Sequence, residues 1–506
     1  MTKLKPTEHV GWAIFWITLA LRVFWAWRIP LTGDEAYYVT WGLTPALGYY
    51  DHPPMVGWWL AALVPFSLHA LWLRLPAVFL FPVIALWARR EQGRWDAAAL
   101  LWVIVPLDLF MFAMVPDAPL VLFLAAFFGI WTQGRTRASA VTAGICLGGA
   151  LLSKYFAWFL LPILGATLIL PALGRRMQQA RLGELRGLPD PRRTALTFLA
   201  AAPAMFFHLG WNSAHCWVNW EFNAHTRLRV AQAASIGERL TQVGVGVFWA
   251  ALFLWPFVPA LRKHWRESAH LWTVALAGFA LVIASTWKNP VSIHYYLPYL
   301  VPLLVWMGRL PRSADFSGDR AAAWALAGNG LMSGVLALGV TGVLLLPMDT
   351  WKDYRIHRSL VLFAGAPALA RQIESRARDL GGEWIWASDG YTSSAMLEAA
   401  RGRDVVVLGW HSHWGRQDDY RTDFRRLDGK SFLIFSQHVA AGSPYGAYFQ
   451  DVKQETITLQ GQTFYLWVGK GFRFADYARE VMSIDRRSGL LLPCARTALP
   501  DAVDSR

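Results

Sequence analysis

The sequence predicts a polytopic α-helical membrane protein with about eleven transmembrane helices and a C-terminal soluble α/β domain. Three observations support this fold class. Of 506 residues, 55% are hydrophobic and 16% are charged, against about 25% charged in soluble domains. The apolar residues form stretches of roughly 17–25 residues, the length that crosses a bilayer as helix. From about residue 350, short β-rich runs replace these stretches.

The first apolar stretch, at about 10–29, follows two lysines, which predicts a retained first helix with a cytoplasmic start. Stretch 55–70 is short and contains a proline. If it spanned the membrane, Arg89, Arg90 and Arg94 would face outward, so we expect it to lie along the interface. The arginine-rich loops then all fall inside, and the C-terminus lies outside. The other predicted spans are about 71–88, 97–114, 116–132, 138–153, 155–172, 194–212, 239–260, 270–287, 294–308 and 321–346.

The C-terminal region alternates strand-like and helical patterns. EWIWA, DVVVLG, SFLIF, ETITL and TFYLWVG are rich in β-branched and aromatic residues, whereas PALARQIESRARDL is amphipathic with a helical period. The pattern predicts a small α/β domain. We therefore divide the chain into a transmembrane domain, 1–348, and an extracytoplasmic α/β domain, 349–506.

Several classes of function are disfavoured. The net charge of +14 comes from Arg and Lys in short loops, where they set topology, and this argues against nucleic-acid binding. Three cysteines are too few and too scattered for a disulfide framework or a CxxC metal site. The absence of a GxxxxGK[ST] or HExxH motif argues against ATP-driven transport and against a structural zinc site.

The first outer loop carries two candidate groups. The adjacent acids Asp34 and Glu35, followed by Tyr37 and Tyr38, are suited to accept a proton from a hydroxyl or to help hold a metal ion. The alternative is a solvated pair that caps a short interfacial helix. Further on, two prolines fix an extended exit after the Asp-His pair at 51–52, whose imidazole could bind a phosphate; the alternative is a turn with a solvated histidine.

Other ionisable residues lie at predicted span ends, where they often mark function. Lys154 suits a lipid-linked phosphate as a point charge, or else extends to the headgroups. Asp117 could act chemically or simply cap the helix that begins there. The remaining binding candidates on the outer face are Asn212, His225, Arg227, Lys288 and His294, of which His225 and Arg227 are equally well explained as ordinary loop charges.

Together, the motifs GDEAYY, GYYDHPPMVGWW, PDAPL, LLSKY and WN with a downstream His-Arg pair resemble the glycosyltransferase 39 and 83 group. This group of the GT-C superfamily includes protein O-mannosyltransferases and the lipid A aminoarabinose transferase. The resemblance covers about residues 10–310, and ASDGYTSSAMLEAA is similar to a short motif of the outer domain. His52 stands where the aminoarabinose transferase pattern has a lysine.

The resemblance implies a sugar transfer from a polyprenyl-phosphate carrier to a lipid (lipid A type), glycan or protein acceptor, with inversion. It places the enzyme in the bacterial inner membrane, with the α/β domain in the periplasm. No cofactor is required, and a divalent metal is compatible with the acids but not implied. The rival hypothesis is a transporter or flippase of lipid-linked sugars, which would place polar sites near the bilayer midplane. The resemblance places Asp34 and Glu35 on the acidic motif near the acceptor, Asp117 on a second acidic position and Lys154 on the basic position that contacts the carrier phosphate. We therefore predict Asp34, Glu35 and Asp117 as catalytic residues. The predicted substrate-binding residues are Lys154 together with the outer-face candidates Tyr37, Tyr38, Asp51, His52, Asn212, His225, Arg227, Lys288 and His294.

Overall fold

The computed structural model describes residues 6–165, 190–223, 235–287, 292–310, 320–408, 416–438 and 445–482. Its internal contacts divide the chain into two compact units. The helical unit comprises Met1–Arg28, Arg74–Leu209 and Arg227–Leu345. The mixed unit comprises Ile29–Leu73, Gly210–Thr226 and Leu346–Arg506. The division of the chain at 348/349 stays a prediction.

Helices long and apolar enough to cross a membrane dominate the helical unit, and they confirm the prediction of a mostly helical, polytopic membrane protein. The described residues contain six of them: Glu8–Arg28 (within helix Pro6–Arg28), Ala70–Gln92, Pro191–Ala214, Ile236–His264, Ala269–Thr286 and Arg320–Leu345. Within the fourth of these, helix Ile236–Leu254 passes through the 3₁₀ turn Trp255–Phe257 into Val258–His264. The shorter helices are Ala97–Ile104, Pro106–Phe110, Asp117–Gln133, Arg137–Leu151 and Leu297–Met307, with 3₁₀ turns at Tyr155–Ala157 and Ile293–Tyr296. The exact number of spans stays a prediction.

The predicted span 97–114 is not one continuous helix. Helix Ala97–Ile104 starts at Asp96, whose side chain accepts from the Ala99 amide, and it ends at Val105. Proline cannot continue the hydrogen-bond ladder, so Pro106 begins a new short helix instead. The predicted span 155–172 extends beyond residue 165 and so lies partly outside the described residues.

Two fully buried arginines bind backbone carbonyls, Arg22 just after this break and Arg74 near the end of helix Pro6–Arg28. Arg22 donates to the carbonyl of Asp108 and, at 3.4 Å, to that of Met111. Arg74 donates to the carbonyl of Ala26 at 2.9 Å. Because carbonyls at the end of a helix have no partner within it, a buried guanidinium is a suitable donor for them.

The interfacial stretch 55–70 forms only the seven-residue helix Met55–Ala61. A helix of this length spans about 10 Å, far less than the ~30 Å hydrocarbon layer. The chain then turns and begins helix Ala70–Gln92. Such a short helix fits the prediction that this stretch does not cross the membrane.

The mixed unit contains a five-stranded sheet, which confirms the strand-like runs read from the sequence. Its strands are β1 (Ile385–Ser388), β2 (Val406–Val407), β3 (Phe432–Ser436), β4 (Phe449–Leu459) and β5 (Gln462–Phe472). The order is β2-β1-β3-β5-β4; β1 runs parallel to β2 and β3, and β5 runs antiparallel to β3 and β4. Aromatic side chains such as Phe432, Tyr448 and Trp467 build the core on one face.

The remaining elements of this unit are helical and mostly short. The long helices His357–Leu380 and Tyr391–Arg401 belong to the α/β part, and Gly33–Leu43 belongs to the predicted first outer loop. The short elements are Val218–Glu221, Met348–Trp351, Asp418–Arg421, Phe424–Leu427, Phe474–Tyr477 and Ala478–Met482.

A buried ion-pair network predicts a large effect on stability. Both terminal nitrogens of Arg421 donate to Glu398 at 2.7 Å, and one also contacts Asp418 at 3.3 Å. Burial raises the pKa of Glu398, a side chain only 1% exposed, so this carboxylate depends on its partner. Arg421→Ala should therefore lower the unfolding free energy of the α/β part by about 3–5 kcal/mol. Pulse proteolysis of the purified full chain in urea measures this change.

The matched control is Arg425→Ala. Arg425 pairs with Asp423 at the surface, where ion pairs contribute little, so its removal should leave the urea midpoint unchanged. Equal midpoints for the two variants would contradict the proposed role of the Arg421 network.

Candidate functional site

The two adjacent acids of GDEAYY have different environments. Helix Gly33–Leu43 begins with a capping box: the Glu35 amide donates to Thr32 Oγ1 at 3.2 Å, and the Thr32 amide donates to Glu35 Oε2 at 3.1 Å. Glu35 is buried, whereas Asp34 is exposed. The capping interpretation therefore describes Glu35, while the Asp34 carboxylate faces outward at the helix N-terminus.

The motif ASDGYTSSAMLEAA packs against this helix within the mixed unit. A Cβ at Gly33 would lie 2.4 Å from Thr392 Cγ2, so glycine permits the close approach of helix Tyr391–Arg401. The rings of Tyr37 and Tyr391 meet edge to face, 5.4 Å apart. Two motifs more than 350 residues apart in the printed sequence are thus brought together.

Two asparagines hold the GYYDHPP loop. The side-chain amide of Asn219 donates to the carbonyls of Tyr49 (2.6 Å) and His52 (3.1 Å), and that of Asn223 donates to the carbonyl of Asp51 (2.9 Å). Amide side chains here satisfy loop carbonyls that have no ladder partner. The segment WNSAHCWVNWEFN therefore shapes the loop, through two asparagines that the sequence analysis did not select.

Asp51 is enclosed by polar groups from three parts of the mixed unit. Its Oδ1 accepts from the Tyr37 hydroxyl at 3.3 Å, and its Oδ2 lies 3.1 Å from Arg416 Nη1. Burial, and then the Asp51 carboxylate, raise the pKa of Tyr37 well above its usual value, which keeps the phenol protonated. Burial opposes the charge on Arg416, but the Asp51 carboxylate outweighs it and raises the pKa of the guanidinium.

Lys154 and Asp117 form an ion pair in the helical unit. Lys154 Nζ lies 2.6 Å from Asp117 Oδ2, and the two side chains are 7% and 2% exposed. The rings of Phe156 and Tyr295 lie 5.3 Å from the same nitrogen. Asp117 is the first residue of helix Asp117–Gln133, so its charge also favours the helix start. Within the described residues, Asp117 Oδ1 has no hydrogen-bond partner.

The ammonium is therefore buried rather than extended to the headgroups. A buried pair costs desolvation energy that an apolar pair would not, so it is weak evidence for stability alone. Aromatic rings beside a desolvated ammonium add cation–π attraction. The Lys154 cluster, defined as Lys154, Asp117, Phe156 and Tyr295, therefore holds a buried ammonium whose charge is balanced by the Asp117 carboxylate.

The other predicted residues lie in separate places. Tyr38 packs edge-on against Trp41 at 4.8 Å and lies 6.0 Å from the half-buried ring of His52. Asn212 is buried near the end of helix Pro191–Ala214. His294 contacts the ring of Tyr295, which belongs to the Lys154 cluster. His225, Arg227 and Lys288 lie outside the described residues.

The structure adds functional candidates that sequence reasoning missed, above all Arg416. Arg416 follows the histidine-rich run WHSHWG, which has no recognised motif, so only the fold reveals its partner. His208 is a second case: fully buried, it lies 2.8 Å from the Tyr155 hydroxyl next to Lys154 in sequence. Within the part of the chain that the structure describes, no group of three His, Cys, Asp or Glu could hold a metal ion.

The comparisons with known proteins point to one type of fold. No protein-family model matches the chain. ArnT from Cupriavidus metallidurans, solved bound to undecaprenyl phosphate, has a similar structure, with a TM-score of 0.57 and 14% identity. The likeness covers 92% of this chain and 98% of that one. The fold is therefore that of ArnT, across nearly its full length.

One sequence relative is a glycosyltransferase. The chain is 32% identical over 162 residues to the lipid A galacturonosyltransferase RgtD of Rhizobium johnstonii, a match that covers 28% of this chain. The chain spans about a third of the length of that curated relative (34%). A weaker structural similarity, with a TM-score of 0.42, is to the archaeal oligosaccharyltransferase AglB of Archaeoglobus fulgidus. The fold likeness to ArnT and the partial sequence match to RgtD agree with the resemblance that the motifs indicate, and membership of the glycosyltransferase 39 and 83 group stays a prediction.

Proposed function

We propose that this chain is an inverting membrane glycosyltransferase that moves a sugar from a polyprenyl-phosphate carrier to a lipid A-type acceptor. One observation carries the proposal: the chain has the fold of ArnT over 92% of its length. That structure contains undecaprenyl phosphate, and the relative RgtD acts on lipid A. Fold alone does not fix function, so the site residues must supply the chemistry.

The Lys154 cluster is suited to the donor. In the reaction, the bond between the sugar carbon and the carrier phosphate breaks, and negative charge grows on the phosphate. An ammonium already desolvated and oriented by Asp117 stabilises that charge without reorganisation. Binding of the phosphate would replace or share the Asp117 contact, since Lys154 has three donor hydrogens.

Asp34 is suited to the acceptor. A hydroxyl that attacks the sugar carbon must lose its proton, and an exposed carboxylate can take it. Glu35 is occupied by the capping box, so the two acids have separate roles. If the acceptor is already an anion, such as a lipid phosphate, no base is needed and Asp34 orients it instead.

The reaction takes place at the outer face of the bacterial inner membrane in this proposal. One observation supports this side: Cys216 is disulfide-bonded, and disulfides form in oxidising compartments such as the periplasm. Cys216 lies two residues after helix Pro191–Ala214, at the end that the loop charges place outside. Of the other cysteines, Cys146 is free and Cys494 lies outside the described residues.

The test is sugar transfer in membranes from a strain that lacks this chain. Membranes with and without the restored chain receive polyprenyl-phosphate-linked sugars labelled in the sugar, and the lipid products are separated. New label in a lipid A fraction supports the proposal, and label in protein or glycan supports transfer but corrects the acceptor. Label that crosses the membrane on its original carrier, without transfer, would show a flippase and refute the proposal.

A further inference from the structure

A two-residue segment, Arg416–Gln417, joins the α/β part of the chain to the first outer loop. Arg416 Nη1 lies 3.1 Å from Asp51 Oδ2. The side-chain oxygen of Gln417 accepts from the Tyr50 amide at 2.8 Å, and the Gln417 amide donates to the Tyr37 hydroxyl at 3.2 Å. Two consecutive residues thus contact a loop amide, a loop carboxylate and a helix side chain.

The guanidinium is held in an aromatic and acidic environment. It lies 3.9 Å from the centre of the Tyr391 ring, 5.2 Å from Phe222 and 5.6 Å from Tyr37. The Asp51 side chain that it meets is only 3% exposed. A buried carboxylate that lost this partner would be left uncompensated, so the loop conformation depends on the arginine.

The backbone of Arg416 is also in an uncommon conformation. Its φ of +57° lies in the left-handed region, which costs energy for a residue with a side chain. Conformations of this kind persist where surrounding contacts demand them, and they concentrate at functional sites. Here the contacts in question are those to Asp51 and the aromatic rings.

The loop that Arg416 holds is linked to the proposed proton acceptor. Asp34 and Tyr37 are one turn apart on helix Gly33–Leu43, and Tyr37 donates to Asp51. A shift of the Asp51 side chain would therefore change the position of helix Gly33–Leu43, which carries Asp34.

We propose that Arg416 is a positioning residue for the acceptor side of the active centre, acting through Asp51 and Tyr37. The α/β part of the chain then contributes to the acceptor side, together with the loop and helix of its own unit. This inference rests on the proposed function, and it adds a residue to the site that no motif of the sequence contains.

The first arm of the test measures the geometry without any activity. Hydrogen exchange is followed in the purified full chain for Arg416→Gln, for Arg416→Lys and for the control Arg376→Gln. Arg376 forms a bidentate pair with Glu455 elsewhere in the same unit. We expect faster exchange in peptides covering 44–54 for Arg416→Gln, above all at the Tyr50 amide, a smaller increase for Arg416→Lys and no change for Arg376→Gln. Unchanged exchange there would overturn the positioning role.

The second arm measures the function. Arg416→Gln should lower kcat/KM for the acceptor by about 10- to 100-fold, as misplaced groups do, with less effect on the KM for the donor. Arg416→Lys, which retains the charge but not the planar fork, should recover part of the loss. Arg376→Gln should transfer as the wild type does.

A double-mutant cycle with Asp51→Asn separates a shared role from a general loss of structure. If Arg416 acts through Asp51, the double variant should be no worse than the poorer single variant. Fully additive losses, or wild-type kcat/KM for Arg416→Gln, would overturn the proposal while leaving the transferase function standing. A wild type without any transfer would refute the proposed function instead, and the exchange arm would still decide whether Arg416 positions the loop.

Discussion

Replacing Lys154 with methionine should lower transfer by about 10²- to 10³-fold, the scale of losing one preorganised charge-stabilising group. The physical reason is the growth of negative charge on the carrier phosphate as its bond to the sugar breaks. The nearly buried ammonium, paired with Asp117 at 2.6 Å, can meet that charge without reorienting solvent. Transfer of labelled sugar in membranes, compared at equal amounts of protein, measures the effect.

Loss of folding could imitate this result, so the variant needs a matched control. Lys154→Met leaves Asp117 buried and without its cation, a change that costs about 3–5 kcal/mol. The double variant Lys154→Met/Asp117→Asn removes both charges and should regain stability. Lys154→Arg keeps the charge and should retain part of the transfer.

The two interpretations of the pair then give opposite outcomes. If the pair exists only to join helices, the double variant should recover both stability and transfer. If Lys154 acts on the phosphate, stability should return but transfer should not. Near wild-type transfer by the double variant would contradict the catalytic interpretation.

The secondary structure was largely predictable because its signals are local. Apolar stretches of spanning length gave the long helices, and β-rich runs gave all five strands of the sheet. At 97–114 the structure has an interrupted helix, and Pro106 begins its second part. Hydropathy does not register this break, because it averages over a window and a single proline without an amide hydrogen hardly changes the average.

The site was only partly predictable, for a related reason. Motifs identify residues that lie close in sequence, such as Asp34 and Glu35, but not which of them is used by a cap. Partners far apart carry no local signal: Arg416 and Asp51 are 365 positions apart, and Asn219 reaches a loop 170 positions earlier. Ion pairs between distant segments follow from the tertiary fold, which periodicity and spacing do not specify.

Exchange of Asp34 for asparagine should lower transfer to a hydroxyl acceptor by about 10²- to 10⁴-fold, the usual contribution of a positioned base. The amide has nearly the same shape but cannot take a proton. Because Asp34 is exposed and Thr32 caps the helix with Glu35, the change should leave folding intact. Thermal unfolding of the purified chain checks this alongside the transfer assay.

Glu35→Gln is the natural control, since the two acids are adjacent and differ in environment. Glutamine can complete a capping box as glutamate does, so we expect both stability and transfer to remain close to wild type. A loss of transfer with Glu35→Gln and none with Asp34→Asn would reverse the assignment of the two acids. If Asp34→Asn spared transfer to an anionic acceptor but not to a hydroxyl, the carboxylate would be the base that only the hydroxyl requires.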